Sequence, residues 1–401
     1  MQTLDAAALD GALHAARERS AAYILASADF SRRDRLFPCH YGVFGTNPLS
    51  VAYGASGVAL FLHDVLGEVP ADVRAWMTGH RVHPNDYPPG LFVGMAGIAC
   101  AFWEVGLPDE AERVLAGVAA SPLRFQDPTM FLGAAGWGAV CLAFHARTGR
   151  QSYLDQAAEA VDYLLRTARS EGDGLYWLRA GDPRVNYGDG YGASGIARYL
   201  VQAGLLLGRD DAVDAARRGF AYDLAHREQN AFGWTWPDKK NGMLALPYWG
   251  HGASGVGTAA LRLYEALGDV TYLDAAETIA EGAFAVWSVL PSVVDGLSGI
   301  GEFMLDCHRA TGRAVYLARA RRIAETVLWY AVERPAGVAF PGRWFTRLST
   351  DYATGSAGIG LFLGRVLDPS RPRTLVDLPT DRPPRAAAAG GAAAATAAAV
   401  A

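Results

Sequence analysis

The 401-residue sequence predicts an all-α protein, an α/α toroid of seven helical hairpins with inner and outer rings of helices. Two repeated patterns support this prediction. A Gly-x-x-Gly motif occurs seven times, and a Gly-x-x-x-Tyr joint occurs three times between those motifs. Hydrophobic residues make up 51% of the chain, which is enough to bury one large core.

Each Gly-x-x-Gly motif precedes an apolar run with helical rather than alternating spacing, such as ALFLHDVL at residues 59–66. Glycine there permits a positive backbone φ or the close approach of two backbones. Each motif therefore predicts the start of an inner helix. The glycine pairs are Gly54 and Gly57, Gly94 and Gly97, Gly133 and Gly136, Gly192 and Gly195, Gly252 and Gly255, Gly296 and Gly299, and Gly355 and Gly358.

The Gly-x-x-x-Tyr joints predict where an inner helix ends and an amphipathic outer helix begins. Since the first and last units are as apolar as the middle ones, a closed ring is favoured over an open solenoid, which needs polar end caps. A ring places all seven glycine turns at one end, where we expect a pocket. The joints are Gly149 with Tyr153, Gly268 with Tyr272, and Gly312 with Tyr316.

Composition divides the chain into an N-terminal helix and lead-in at residues 1–36, the toroid at 37–370 and a Pro/Ala/Gly-rich tail at 371–401, which we expect to be disordered. The net charge of -5 argues against a nucleic-acid partner. Acids and arginines interleave in the first 20 residues, so we expect no export and a cytoplasmic location. Apolar segments are too short to predict a membrane span.

The ordered motifs cover nearly all of residues 40–366 and resemble the lanthionine synthetase C-like family. The phrases TNPLSVAYGASGVALFL and RLSTDYATGSAGIGLFL resemble the zinc-free cyclase domains of class III lanthipeptide synthetases in particular. The resemblance implies a toroid that takes a precursor peptide with dehydrated Ser and Thr residues. It also implies that the toroid closes thioether rings by adding Cys thiols to them.

Zinc-dependent members of that family hold the metal with a Cys in a Trp-Cys-x-Gly turn and a Cys-His pair before the next motif. Here residues 249–252 are Trp-Gly-His-Gly and residues 294–296 are Val-Asp-Gly, and Tyr191 stands where those members have another histidine. We therefore predict no zinc and no other cofactor. The pairs Cys39-His40 and Cys307-His308 lie off the predicted pocket turns, so neither predicts another metal site.

Three residues of the pocket turns are candidate catalytic groups. His251 is the first candidate for a base, because imidazole titrates near neutral pH; a helix-capping histidine packed on Trp249 is the alternative. Asp295 is a candidate to orient His251 or to bind a substrate amide, although aspartate also caps helices. Tyr191 is a candidate acid.

Further residues are candidate substrate contacts. Aromatic and basic residues in FGWTWPDKKNGMLALPYWGHG suit an acidic peptide or a sugar, but a loop pinned by tryptophans is equally consistent. Arg343 and Arg347 either hold a peptide carboxylate or pair with the nearby Asp351. The candidates for substrate binding are Asp189, Asn186, Trp249, Lys240, Arg347 and Asp351.

Three functions are consistent with this pattern. The leading hypothesis is a lanthionine-forming cyclase that works without zinc on a precursor peptide dehydrated by a separate kinase/lyase or dehydratase. The second is a non-catalytic subunit that binds the precursor peptide. The third is a carbohydrate-active toroid using Asp189, Asp295 and Asp351, which requires two carboxyl groups about 5 to 10 Å apart in one cavity.

Overall fold

The computed structural model describes residues 4–378 and contains fourteen α-helices in that range. Residues 1–3 and 379–401, which include most of the predicted tail, lie outside the described residues. The helices are α1 Ala6–Ala26, α2 Ala55–Leu66, α3 Ala71–Thr78, α4 Met95–Glu104, α5 Pro108–Ala119, α6 Ala134–Thr148, α7 Gln151–Thr167, α8 Ala193–Leu207, α9 Asp210–Ala225, α10 Ala253–Leu267, α11 Val270–Ala283, α12 Leu297–Thr311, α13 Ala314–Leu328 and α14 Ser356–Leu367.

The even-numbered helices form the inner ring, and the prediction of an all-α toroid is confirmed. Each inner helix contacts the next, from α2 through α14, and α14 contacts α2, so the ring is closed. The first glycine of every motif is the N-cap of an inner helix. Gly149, Gly268 and Gly312 end their inner helices in the left-handed conformation, as the joints predicted.

The outer ring consists of α3, α5, α7, α9, α11 and α13, with α1 as its seventh member. Helix α1 packs on α14 and also contacts α13 and α2. Its side chains Leu13 and Ile24 are fully buried there. The segment predicted as a lead-in to the toroid is therefore an outer helix of it, and the seventh hairpin joins the two ends of the chain.

Three small antiparallel sheets join outer helices α7, α9 and α13 to the inner helices that follow. The sequence did not predict these strands, which are two to five residues long. Within residues 4–378, no helix has both the length and the apolar character needed to cross a bilayer. The strands are β1 Arg169–Glu171, β2 Gly174–Tyr176, β3 Glu228–Gln229, β4 Trp234–Pro237, β5 Ala245–Leu246, β6 Val332–Arg334, β7 Gly337–Pro341 and β8 Leu348–Ser349.

A closed cycle of seven backbone hydrogen bonds joins the repeats at the glycine end of the toroid. The residue two positions before each N-cap glycine donates its N–H to the carbonyl of the equivalent residue in the next repeat, over 2.7 to 3.3 Å, and the last residue donates to the first. The cycle satisfies the backbone groups of seven buried turns. Its members are Ala52, Phe92, Phe131, Gly190, Gly250, Val294 and Ala353.

The second glycine of each motif is required by close packing. A Cβ on that glycine would lie 1.7 to 2.2 Å from the carbonyl oxygen six residues earlier in all seven repeats, as at Gly97 against Leu91. Among the N-cap glycines only Gly252 has a positive φ, of 112°. The second glycine therefore recurs in all seven repeats because the helix backbone there lies against the backbone of the preceding turn.

Residues 371–378 pack inside the toroid, so the predicted boundary of the disordered tail at residue 371 is wrong. Arg198 on α8 donates to the carbonyl of Val376 over 3.0 Å, and Asp377 lies 2.6 Å from Arg262 on α10. Arg373 lies 3.3 Å from Asp306 on α12, and its guanidinium lies 4.9 Å from the ring centroid of Trp249. The segment contacts successive inner helices and so occupies the space between them. Its charged side chains pair with buried charged residues of the inner helices. The composition of the segment could not predict this pairing.

Candidate functional site

The residues directly before four of the N-cap glycines form one cluster at the glycine end. Tyr53, Tyr191, His251 and Asp295 each follow a member of the backbone hydrogen-bond cycle, and all four are partly exposed. We call these four residues, with His40 and Arg343 described below, the glycine-end site. The structure thus brings together all three side chains that the sequence predicted to be catalytic.

His251 lies between Tyr191 and Asp295. Its ring stacks on that of Tyr191, with centroids 4.4 Å apart and planes inclined by 13°. Its Nδ1 lies 3.9 Å from Oδ1 of Asp295, with 27% and 16% of the two side chains exposed. An imidazole that is partly open to solvent and close to a carboxylate is suited to receive and return a proton.

Arg343 reaches the opposite side of Asp295 from a 3-10 helix, Arg343–Phe345, in the connection between β7 and β8. Its Nη2 lies 3.8 Å from Oδ2 of Asp295. Burial raises the pKa of Asp295, but the neighbouring His251, Arg343 and His40 more than offset this effect and leave the pKa below its ordinary value. Asp295 is therefore an anion at neutral pH.

His40 joins the site from a short helix, Tyr41–Gly45, ahead of α2. Its Nδ1 accepts a hydrogen bond from the N–H of Gly42 over 3.0 Å, which assigns the proton of the neutral ring to Nε2. That Nε2 is buried without a partner among the described residues. Burial lowers the pKa of His40, Asp351 partly offsets this, and Arg343 lowers it further. The ring centroid of His40 lies 5.2 Å from that of Tyr53.

The sequence offered His40 only as half of a Cys-His pair. The repeat register could not place it, because it precedes the first motif. Its neighbour Cys39 is buried, and burial raises the pKa of that thiol to about 12, so Cys39 remains protonated. The sequence analysis placed this dipeptide off the pocket turns, whereas the structure brings His40 into the glycine-end site.

Burial also controls the ionisation of the tyrosines. It raises the pKa of Tyr191 well above its ordinary value, and the nearby Tyr53 and Asp295 add to the effect. Tyr191 is thus a neutral phenol at all physiological pH values. A neutral phenol beside an imidazole is available as a hydrogen-bond donor or as an acid toward a strong base.

Two of the predicted substrate-binding carboxylates lie inside the fold instead. Asp189 is fully buried and binds Arg198 through two bonds of 2.7 and 2.9 Å. Asp351 is also fully buried, and it accepts hydrogen bonds from the backbone N–H groups of His40 and Thr354 over 2.9 and 2.7 Å. Both satisfy buried donors that would otherwise be unpaired, and neither is accessible to a substrate.

The other predicted contacts are dispersed. Trp249 is fully buried beneath Arg373 and does not face the glycine-end site. Lys240 is bound to Glu171 over 2.6 Å on the surface, and Asn186 pairs through its backbone with the neighbouring Lys239. Arg347 is exposed and lines a separate groove described below.

Comparison with known proteins identifies the family. A sequence profile of lanthionine synthetase C-like proteins matches residues 109–378. The chain belongs to this family. A probable SapB synthase from Streptomyces coelicolor is 31% identical over 373 residues, which cover 92% of this chain and 39% of that protein. The chain thus spans about two fifths of the length of that relative.

Solved structures share the fold of this lanthionine synthetase C-like chain. Nisin cyclase superposes with a TM-score of 0.59 at 14% identity, over 80% of this chain and 89% of that one. The Lin0763 protein from Listeria innocua superposes with a TM-score of 0.53 at 12% identity, over 88% of this chain and 96% of that one. At these identities the likeness concerns the fold alone.

The zinc site of this family does not fit the residues found here. Gly250 has no side chain, and a Cβ there would lie 2.5 Å from Cγ1 of Val294, which is itself apolar and buried. Only Asp295 and His251 offer donor atoms in these two turns. Among residues 4–378, no group of three or more His, Cys, Asp and Glu side chains is arranged to hold a metal ion.

Proposed function

We propose that the protein is a lanthipeptide cyclase-like enzyme that adds Cys thiols of a precursor peptide to its dehydrated Ser or Thr residues without zinc. The observation that carries this proposal is the contact of His251 with both Tyr191 and Asp295 at the glycine end. Membership of the lanthionine synthetase C-like family supports the peptide substrate.

His251 acts as the base in the proposed reaction. A free thiol with a pKa of about 8.5 is only a few per cent ionised at neutral pH, so a base close to it raises the concentration of thiolate. The thiolate forms a C–S bond with the β-carbon of the dehydrated residue. The π bond of the alkene breaks, and its electron pair moves to the α-carbon and the adjacent amide carbonyl as an enolate.

Tyr191 acts as the acid. An enolate is a stronger base than a phenolate, so a neutral Tyr191 can protonate the α-carbon although burial raises its pKa. The proton that His251 took from the thiol replaces the one that Tyr191 gave up. The reaction therefore consumes no net proton, oxidant or reductant. Asp295, 3.9 Å from His251, stabilises the imidazolium formed in the first step.

The test compares ring formation with and without His251. The protein is incubated with a dehydrated, Cys-containing precursor peptide, and loss of free thiol is followed with an alkylating reagent and mass spectrometry. We expect the wild type to exceed the spontaneous rate, and His251→Asn to lose about 100-fold or more of that excess. His14→Asn, an exposed histidine on α1, is the matched control. A wild-type rate equal to the spontaneous one sinks the proposal.

A non-catalytic peptide-binding subunit is the second candidate function, and the loss of the zinc-binding side chains at residues 250 and 294 favours it. This alternative requires that His251→Asn leave product formation by the assembled enzymes unchanged. The carbohydrate-active alternative is weaker, because Asp189 and Asp351 are buried and only Asp295 opens to the glycine end. That leaves one carboxylate where two are needed.

The proposed reaction also requires a partner activity. Its peptide substrate has to be dehydrated first, by a kinase/lyase or dehydratase that resides in another protein or in another part of a longer chain. The length of the Streptomyces relative is compatible with either arrangement. Mixing this protein with undehydrated precursor is expected to give no rings, which a mass spectrum distinguishes from the dehydrated sample.

A further inference from the structure

The connection between β7 and β8 is strained and presents aromatic side chains to solvent. Trp344 and Phe345 are adjacent non-glycine residues with φ of 60° and 55°, in the left-handed region that side chains with a Cβ disfavour. They remain 60% and 50% exposed. Strained backbone that holds exposed aromatics commonly serves binding, because folding alone gains little from it.

A groove of about 450 Å³ lies beside this connection, across the β6–β7–β8 sheet. Phe345 and Tyr330 both line it, and their rings stack with centroids 6.2 Å apart and planes inclined by 14°. Val332 and Leu348 also line the groove. The groove thus offers an apolar surface suited to the side chains of an extended chain.

Two arginines, Arg334 and Arg347, complete the groove, and no acidic residue lines it. Among the described residues, neither guanidinium has a carboxylate recorded within 4.0 Å, although the neighbouring Glu333 pairs with Arg19. Unpaired guanidinium groups beside aromatic surface favour a ligand that carries carboxylates as well as apolar groups. The positive charge of Arg334 and Arg347 therefore favours a ligand with acidic groups.

One short helix, Arg343–Phe345, contributes a residue to the groove and another to the glycine-end site. Phe345 lines the groove, while Arg343, two residues earlier, lies 3.8 Å from Asp295. The groove and the glycine-end site therefore share the connection between β7 and β8.

We propose that this groove binds an acidic, extended segment of the peptide substrate, outside the residues that form rings. Carboxylates of that segment pair with Arg334 and Arg347, and its apolar side chains pack against Tyr330 and Phe345. The inference rests on the proposed function, because it takes the substrate of the glycine-end site to be a peptide. It adds the chemistry of the segment that the protein recognises.

The first experiment measures binding alone, by fluorescence polarisation of two labelled synthetic peptides. One alternates Glu with Leu and Phe, and the other has Lys in place of every Glu. We expect the acidic peptide to bind at least about tenfold more tightly. Arg334→Glu combined with Arg347→Glu is expected to remove that preference. Arg81→Glu combined with Arg169→Glu, two exposed arginines elsewhere, makes the same charge change and is expected to retain it.

Further variants separate the groove from a non-specific anion site. Phe345→Asn tolerates the left-handed backbone and removes the aromatic wall, so it is expected to weaken the acidic peptide severalfold. Heparin serves as an anion without apolar side chains. If heparin competes fully and Phe345→Asn has no effect, or if both peptides bind equally, the proposed peptide groove is overturned.

A second readout keeps this inference distinct from the proposed function. Ring formation is measured on a dehydrated precursor in the same variants. Binding that depends on Arg334 and Arg347, in a protein without cyclase activity, supports the groove and contradicts the cyclase. Cyclase activity that survives the double charge reversal at unchanged KM contradicts the groove and leaves the cyclase intact.

Discussion

The glycine-end site and the charged cluster between the inner helices use the same side-chain types in opposite ways. Inside the ring, Asp306 lies 3.0 to 3.3 Å from Arg262, Arg365 and Arg373, and it is fully buried. At the glycine end, nitrogen atoms of Arg343 and His251 lie 3.8 and 3.9 Å from the oxygens of Asp295, beyond hydrogen-bonding distance. The carboxylate of Asp306 is fully used in stabilising the fold. The carboxylate of Asp295 makes only long contacts and can therefore interact with a substrate or with a newly protonated group.

The largest expected effect tests the structural half of this comparison. Asp306→Ala leaves three buried guanidinium groups without their shared anion, so we expect the free energy of unfolding to fall by about 3 to 5 kcal/mol. Urea denaturation followed by circular dichroism measures it. Asp214→Ala, which removes an exposed carboxylate 3.9 Å from Arg218, is the control and is expected to change little. Equal effects of the two substitutions would contradict a structural role for the cluster.

Asp295→Asn tests the functional half and is expected to act mainly on the reaction. Its loss removes the anion that stabilises protonated His251, so we expect about a tenfold lower rate of ring closure. We also expect the acid limb of the pH–rate profile to move to lower pH. Stopped assays of free thiol across pH 5 to 9 measure both quantities. An unchanged profile would show that Asp295 does not act on the reaction through His251.

The same variant carries a signed prediction for stability. Because the pKa of Asp295 is depressed in the folded protein, its ionised form stabilises the fold. That contribution is present above the ordinary carboxyl pKa of about 3.9 and is lost as pH falls through the lower folded value. Wild type and Asp295→Asn should therefore differ in unfolding free energy at neutral pH and converge in strong acid.

The fold was predictable because its constraint is local. A second glycine is needed wherever the first turn of an inner helix touches the carbonyl six residues earlier, and that steric demand recurs in the sequence at every repeat. The packing of α1 on α14 was not predictable, because it joins segments more than 300 residues apart. The insertion of Arg373 between the inner helices depends in the same way on partners from distant repeats.

The site residues could be predicted only from their exact position relative to the N-cap glycine of each motif. Residues directly before an N-cap glycine, such as His251 and Asp295, face the glycine end. Residues three positions before that glycine, such as Asp189 and Trp249, turn inward and are fully buried. Closeness to a motif in the sequence therefore identified the correct turns. It could not show which of their side chains face the glycine end and which face the interior. His40 was missed because no repeat precedes it to supply a register.

The smallest expected effect concerns His40, the one histidine of the glycine-end site whose imidazole pKa is lowered by burial. Burial lowers its pKa in the folded protein, so the unfolded chain takes up a proton more readily as pH falls. The stability of the wild type should therefore be full above the ordinary histidine pKa of about 6.5 and decline below it, toward the folded value. In His40→Asn this component is absent, while the amide oxygen can still accept from the N–H of Gly42. Urea denaturation at half-unit steps from pH 5 to 8 measures the difference, with His14→Asn as the exposed control. If the two variants show the same pH dependence, burial does not lower the pKa of His40, and its unpaired Nε2 is accessible to water.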